Sequence, residues 1–134
     1  MLFRSAEPTA APAASLGPIE GRAIELELAA LSIVMDGAPV KEIAVTPGET
    51  VTFVLTNTAN APENFWIGTD AQLGSNQTVG LPGVPEFSSG TQQFTWEVPA
   101  DVTGLKFGVT VPGHYLLQQG VFTVAEGAAP AEPR

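Results

Sequence analysis

Apolar and polar residues alternate with a period of two in three stretches of this chain, and each stretch predicts a strand with one buried face. In the first, Ile24, Leu26 and Leu28 are separated by Glu25 and Glu27, so one face is apolar and the other acidic. The apolar run at 31–35 extends this strand past a bend, and Asp36-Gly37 supplies a turn. Residues 41–45 make the next strand, ended by Pro47 and Gly48, a pair that fixes φ at one residue and permits φ > 0 at the next. Val51, Phe53 and Leu55 then face inward from a second alternating stretch, and Phe94, Trp96 and Val98 from a third. Trp66 alternates into the core as well, and the runs at 105–109 and 121–124 close the sheet. Between these strands, residues 69–89 hold Gly74, Gly80, Pro82, Gly83 and Pro85 with few apolar side chains, which predicts an irregular region with room for a short helix or a binding loop.

Short strands punctuated by turn residues predict an all-β sandwich or barrel of about seven to eight strands. The length of 134 residues fits one domain with a core of its own. Its boundaries follow from composition: residues 1–20 and 126–134 are Ala/Pro-rich tethers with little to bury, and residues 21–125 fold. Tethers on both flanks imply a domain taken from a longer exported chain, or one held away from a membrane or wall, although residues 1–5 lead straight into Ala/Pro/Thr sequence without the apolar stretch of an export signal.

Charge and chemistry narrow the function. A net charge of −9 with only five Lys and Arg excludes a phosphate-neutralising stripe, and so argues against nucleic acid. No segment is apolar for long enough to span a bilayer as a helix. The absence of cysteine removes disulfides, Fe–S clusters, thiol catalysis and thiolate-bound copper together. No serine or aspartate is placed by motif to work with His114, the one histidine, and the carboxylates show no paired spacing, so an enzyme is not expected.

The region around His114 carries the most information. Val109-Thr110-Val111-Pro112-Gly113-His114 and the four residues that follow, ending at Gln118, run from one strand across a tight turn to the next. This stretch resembles the ligand loop of the cupredoxins, the blue-copper electron-transfer family, in which Cys-Thr-x-Pro-Gly-His-x-x-x-Met joins two strands. The Pro47-Gly48-Glu49-Thr50 turn with its following strand, and the segment Pro62-Glu63-Asn64-Phe65, resemble two further parts of the same family, so the similarity covers about residues 22–125. It implies a Greek-key β-sandwich in an extracytoplasmic location.

Carried over position by position, the resemblance puts the family's cysteine at Val109, its first histidine at Glu63, its second at His114 and its axial residue at Gln118. A blue-copper centre needs two imidazoles and a thiolate in one plane, with a weak axial Met or Gln. Glutamine serves as the axial ligand in one branch of the family, but valine has no lone pair to give. No copper or other cofactor is therefore expected. Glu63 and His114 remain a weak candidate pair for Zn²⁺ or Cu²⁺. Asn64 and Thr110 match the residues that, in the family, tie the two ligand loops together. Val111, Pro112, Tyr115, Leu116 and Leu117 flank His114 where the family has its hydrophobic docking patch, which implies contact with a protein partner. The resulting expectation is a copper-free binding or scaffold module. The alternative left open is a copper-binding electron-transfer domain, or a degenerate copy within a larger blue-copper protein.

Overall fold

The computed structural model describes residues 18–125. Among the described residues the chain forms ten strands and one short helix. They are β1 Arg22–Ala29, β2 Ser32–Met35, β3 Ala38–Pro39, β4 Glu42–Val45, β5 Thr50–Asn57, β6 Glu63–Thr69, α1 Asp70–Gly74, β7 Gly83–Phe87, β8 Gly90–Glu97, β9 Leu105–Gly108 and β10 Gln119–Val124. Two five-stranded sheets result, ordered β3-β2-β1-β5-β8 and β4-β10-β9-β6-β7. β1 runs parallel to β5, and β4 parallel to β10. Parallel neighbours cannot be joined by a hairpin, so the chain leaves each sheet and crosses the other before returning, which makes the fold a sandwich.

The inward residues of the alternating stretches meet between the sheets. Leu28, Val51, Phe53 and Leu55 from one sheet and Phe65 and Phe107 from the other are fully buried. Phe53 lies at the centre, with ring centroids 5.3 Å from Phe65, 5.3 Å from Phe94 and 6.2 Å from Trp96. Tilted and offset ring pairs at such spacing add about 0.5–1.5 kcal/mol each beyond the area they bury. The all-β sandwich expected from the pattern is therefore present, and two turns read from the sequence are too. Glu49 N–H donates to Thr46 C=O at 3.0 Å across Pro47-Gly48 with Gly48 at φ +86°. Asp36 and Gly37, at φ +55° and +84°, join β2 to β3 in a turn of the hairpin type.

Several expectations need correction. Among the described residues there are ten strands where seven to eight were expected, because β2 is separate from β1, β3 pairs with it, and β7 lies in the region expected to be irregular. The run at 31–35 does not continue β1: Leu31 takes φ +59° and the chain folds back, pairing Leu28 with Ile33. A stretch that is apolar but for Ser32 carries no sign of that reversal. Trp66 is not core; Phe65 and Ile67 face inward, so strand alternation turns Trp66 outward, where it is half-buried beside Gly83. The irregular region holds α1 and also β7, where Pro85 is tolerated because β7 is an edge strand. Of the expected tethers, residues 1–17 and 126–134 lie outside the described residues. Residues 18–20 are already tied down: the Thr52 hydroxyl accepts from Glu20 N–H at 2.9 Å and donates to Glu20 C=O at 2.8 Å.

Candidate functional site

The connection from β9 to β10 begins with Val111-Pro112-Gly113-His114. Pro112 presets its own φ, Gly113 takes φ +87°, and His114 N–H donates to Val111 C=O at 2.9 Å, a type II turn. His114 C=O then accepts from Leu117 N–H and Gln118 N–H at 3.0 and 2.9 Å. Val109 N–H donates to Gln118 C=O at 3.0 Å and closes the loop. One helical turn thus separates His114 from Gln118, which puts their side chains on the same side.

Gln118 is fully buried and holds three parts of the molecule together. Its amide nitrogen donates to Ala29 C=O at 2.9 Å and Ser32 C=O at 3.1 Å, the carbonyls on either side of the β1–β2 turn. Its oxygen lies 2.8 Å from His114 Nδ1. With both amide hydrogens given to carbonyls, Oε1 can only accept, so the network assigns a proton to His114 Nδ1.

Glu63 opens β6 beneath this loop and is 0% exposed. Neither carboxylate oxygen has a hydrogen-bond partner among the described residues. Oε2 lies 3.6 Å from His114 Nδ1, within ion-pair reach if the imidazole is protonated but too long for a good hydrogen bond. Burial pushes the Glu63 carboxyl above its ordinary range, and Gln118 and His114 only partly oppose that rise. The unpaired acid is an anomaly among the described residues, since buried polar groups are nearly always satisfied.

The neighbouring residues complete the picture. Asn64 Oδ1 accepts from Thr110 N–H at 2.7 Å, and its amide donates to Thr110 Oγ1 at 3.0 Å, joining the start of β6 to the His114 loop. Val109 is fully buried in the core. A chain of contacts therefore runs from Val109 through Gln118 and His114 to Glu63 at one end of the sandwich. Of the apolar residues flanking His114, Val111 packs against the core while Pro112, Leu116 and Leu117 are exposed. Tyr115 is half-buried; its hydroxyl donates to Asp70 Oδ1 at 2.7 Å, and Lys106 Nζ donates to the same atom at 3.2 Å. Those two donors hold the Asp70 carboxyl below its ordinary range, while burial and the facing carboxylate push the Tyr115 phenol up.

The Asp70, Lys106 and Tyr115 cluster escaped the sequence reading, because 45 residues separate Tyr115 from Asp70. The helix that places Asp70 did carry a signal, the capping box of Thr69 and Gln72, in which Gln72 N–H donates to Thr69 Oγ1 and Thr69 N–H to Gln72 Oε1.

A type 1 copper ion does not fit these residues. The chain has one histidine and no cysteine, the Val109 side chain is hydrocarbon, and the imidazole nitrogen facing Gln118 carries a proton. Among the described residues, no three His, Asp or Glu side chains gather in a way that could hold a metal.

No family profile matches the chain, and no curated protein matches it significantly. Solved structures do. The auracyanin of the photosynthetic bacterium Roseiflexus castenholzii is 25% identical, with a TM-score of 0.60 over 78% of this chain and 97% of that one. Auracyanin A of Chloroflexus aurantiacus, described as a "blue" copper protein, is 25% identical with a TM-score of 0.59 over 77% and 98%. Rusticyanin of Thiobacillus ferrooxidans is 19% identical with a TM-score of 0.62 over 79% of each chain. Its two-sheet topology and its likeness to these proteins across the folded region lead to one conclusion, that this chain has the cupredoxin fold.

Proposed function

We propose that this domain is a copper-free binding or scaffold module that works outside the cytoplasm as part of a longer chain. The observation that carries the reading is the Gln118 side chain, which links the β1–β2 turn to His114 through three hydrogen bonds. An amide with all its hydrogens and an oxygen lone pair committed does the bridging that a bound ion would do. The valine at position 109 adds packing without leaving a buried polar group unpaired. The auracyanin likenesses support the extracytoplasmic setting. No helix among the described residues is long and apolar enough to cross a membrane.

Contact with a protein partner goes through the exposed edge of the His114 loop, where Leu116 is 84% and Leu117 50% exposed beside Pro112. The test is a visible spectrum of the purified domain with Cu²⁺. No intense blue band is expected, whereas Glu63→His combined with Val109→Cys should produce one by restoring the second imidazole and the thiolate. Such a band from the unaltered domain would overturn the reading.

The orphaned Glu63 carboxylate favours a second reading, in which it binds Zn²⁺ together with His114. Calorimetric titration with Zn²⁺ at neutral pH separates the two, since absence of heat removes this alternative.

A further inference from the structure

The chain has one tyrosine, and the fold builds a seat for its ring. Tyr115 lies over Gly108 of β9, where an added Cβ would stand 2.9 Å from the ring, and against Gly74 of α1, where one would stand 3.7 Å away. Gly108 pairs with Trp66 across β9 and β6. Directly opposed residues share a face, so the Tyr115 and Trp66 side chains are neighbours on the outer side of the sheet. The polar groups around the phenol are ordered. Its hydroxyl donates to Asp70 Oδ1 at 2.7 Å, Lys106 Nζ donates to that same oxygen at 3.2 Å, and the ammonium lies 5.6 Å from the ring centre. A cleft open to solvent reaches this group between Gly74, Gly113 and Leu116.

We propose that Tyr115 is a one-electron redox site, in which a metal-centred oxidant of high potential takes an electron from the ring while the phenolic proton crosses the hydrogen bond to Asp70. The step balances with one electron and one proton. The Tyr115 O–H bond breaks, an O–H bond forms at Asp70 Oδ1, a neutral tyrosyl radical remains, and the oxidant is reduced by one electron. Two features make electron and proton leave together. Burial and the facing carboxylate hold the proton on the phenol at physiological pH, so no phenolate is present to be oxidised first. The Lys106 ammonium penalises a positive charge on the ring, so oxidation without proton loss is disfavoured. Asp70 is the built-in base. Tyr115 and Lys106 keep its carboxyl ionised, and its side chain, 71% exposed, hands the proton on to water. The site stands apart from Glu63 and Gln118 and does not depend on how the domain meets a partner.

Flash photolysis tests this, with photogenerated tris(bipyridine)ruthenium(III) as the oxidant and salt high enough to screen a change of one protein charge. The unaltered domain should give the absorption of a neutral tyrosyl radical, at a rate that does not change with buffer concentration because the base is already in place. Tyr115→Phe should abolish that absorption. Asp70→Asn keeps an oxygen that accepts from the phenol but is not basic, so the rate should fall by about 10²-fold and become dependent on buffer base. Lys106→Gln leaves Asp70 a stronger base and lifts the penalty on the ring, so it should speed the oxidation. The two variants thus move the rate in opposite directions, which a shared loss of folding would not do. No tyrosyl signal from the unaltered domain, a rate there that rises with buffer concentration, or an Asp70→Asn variant as fast as the parent would each overturn the proposal.

Discussion

Replacing Glu63 with glutamine should stabilise the fold at alkaline pH and change little near pH 4.5. The buried acid has no hydrogen-bond partner among the described residues, and burial disfavours its charged form, so its pKa in the folded state is raised from 4.5. Between the ordinary and the raised pKa the folded state binds more protons than the unfolded chain, and stability therefore falls as pH rises through that window. At lower pH the acid is neutral in both states and the penalty vanishes. An unsatisfied buried polar group costs about 1–3 kcal/mol, and an ionised one more. The glutamine side chain has the same shape without the charge, so at about pH 8 E63Q should gain about 1.4 kcal/mol for every pH unit by which burial raises the carboxyl pKa. For a domain of this size that corresponds to a rise in Tm of roughly 4 °C per kcal/mol. Urea unfolding of both proteins at about pH 4.5 and pH 8 measures the difference directly. Carboxylates with lowered pKa, such as Glu49 and Asp101, are common to both proteins and cancel. Parallel pH profiles, or a variant less stable than the parent at pH 8, would refute the idea that an uncompensated acid lies under the loop.

Gln118→Ala removes three hydrogen bonds and strands the carbonyls of Ala29 and Ser32, so it should cost about 2–4 kcal/mol in urea unfolding and loosen the His114 loop in amide exchange. Tyr115→Phe removes the largest cause of the lowered Asp70 pKa, so an NMR titration should find the Asp70 carboxyl moved up toward its ordinary value of 3.8 while Lys106 still holds it below.

Much of the architecture was legible in local pattern. The alternation of Val51, Phe53 and Leu55 gave a strand whose inner face is fully buried, and Pro47-Gly48 and Asp36-Gly37 gave turns, because each feature depends on a few adjacent residues. The reversal at Leu31 and the outward turn of Trp66 were not legible. An apolar residue at a turn or on an outer face has the same identity as one in the core, and only the neighbouring strand decides which it is.

The sequence by itself determined that the chain lacks a thiolate and a second imidazole, and that short amphipathic strands would build a sandwich. Whether a position has a lone pair to give is a property of the side chain alone. Only the tertiary structure decided what Gln118 and Glu63 do. The carbonyls that anchor Gln118 lie 89 and 86 residues away, and Glu63 is orphaned among the described residues because β6 carries it beneath the His114 loop, where Nδ1–H stays 3.6 Å off and is given to Gln118. Hydrogen bonding across such separations depends on where strands from two sheets converge, which no local spacing records.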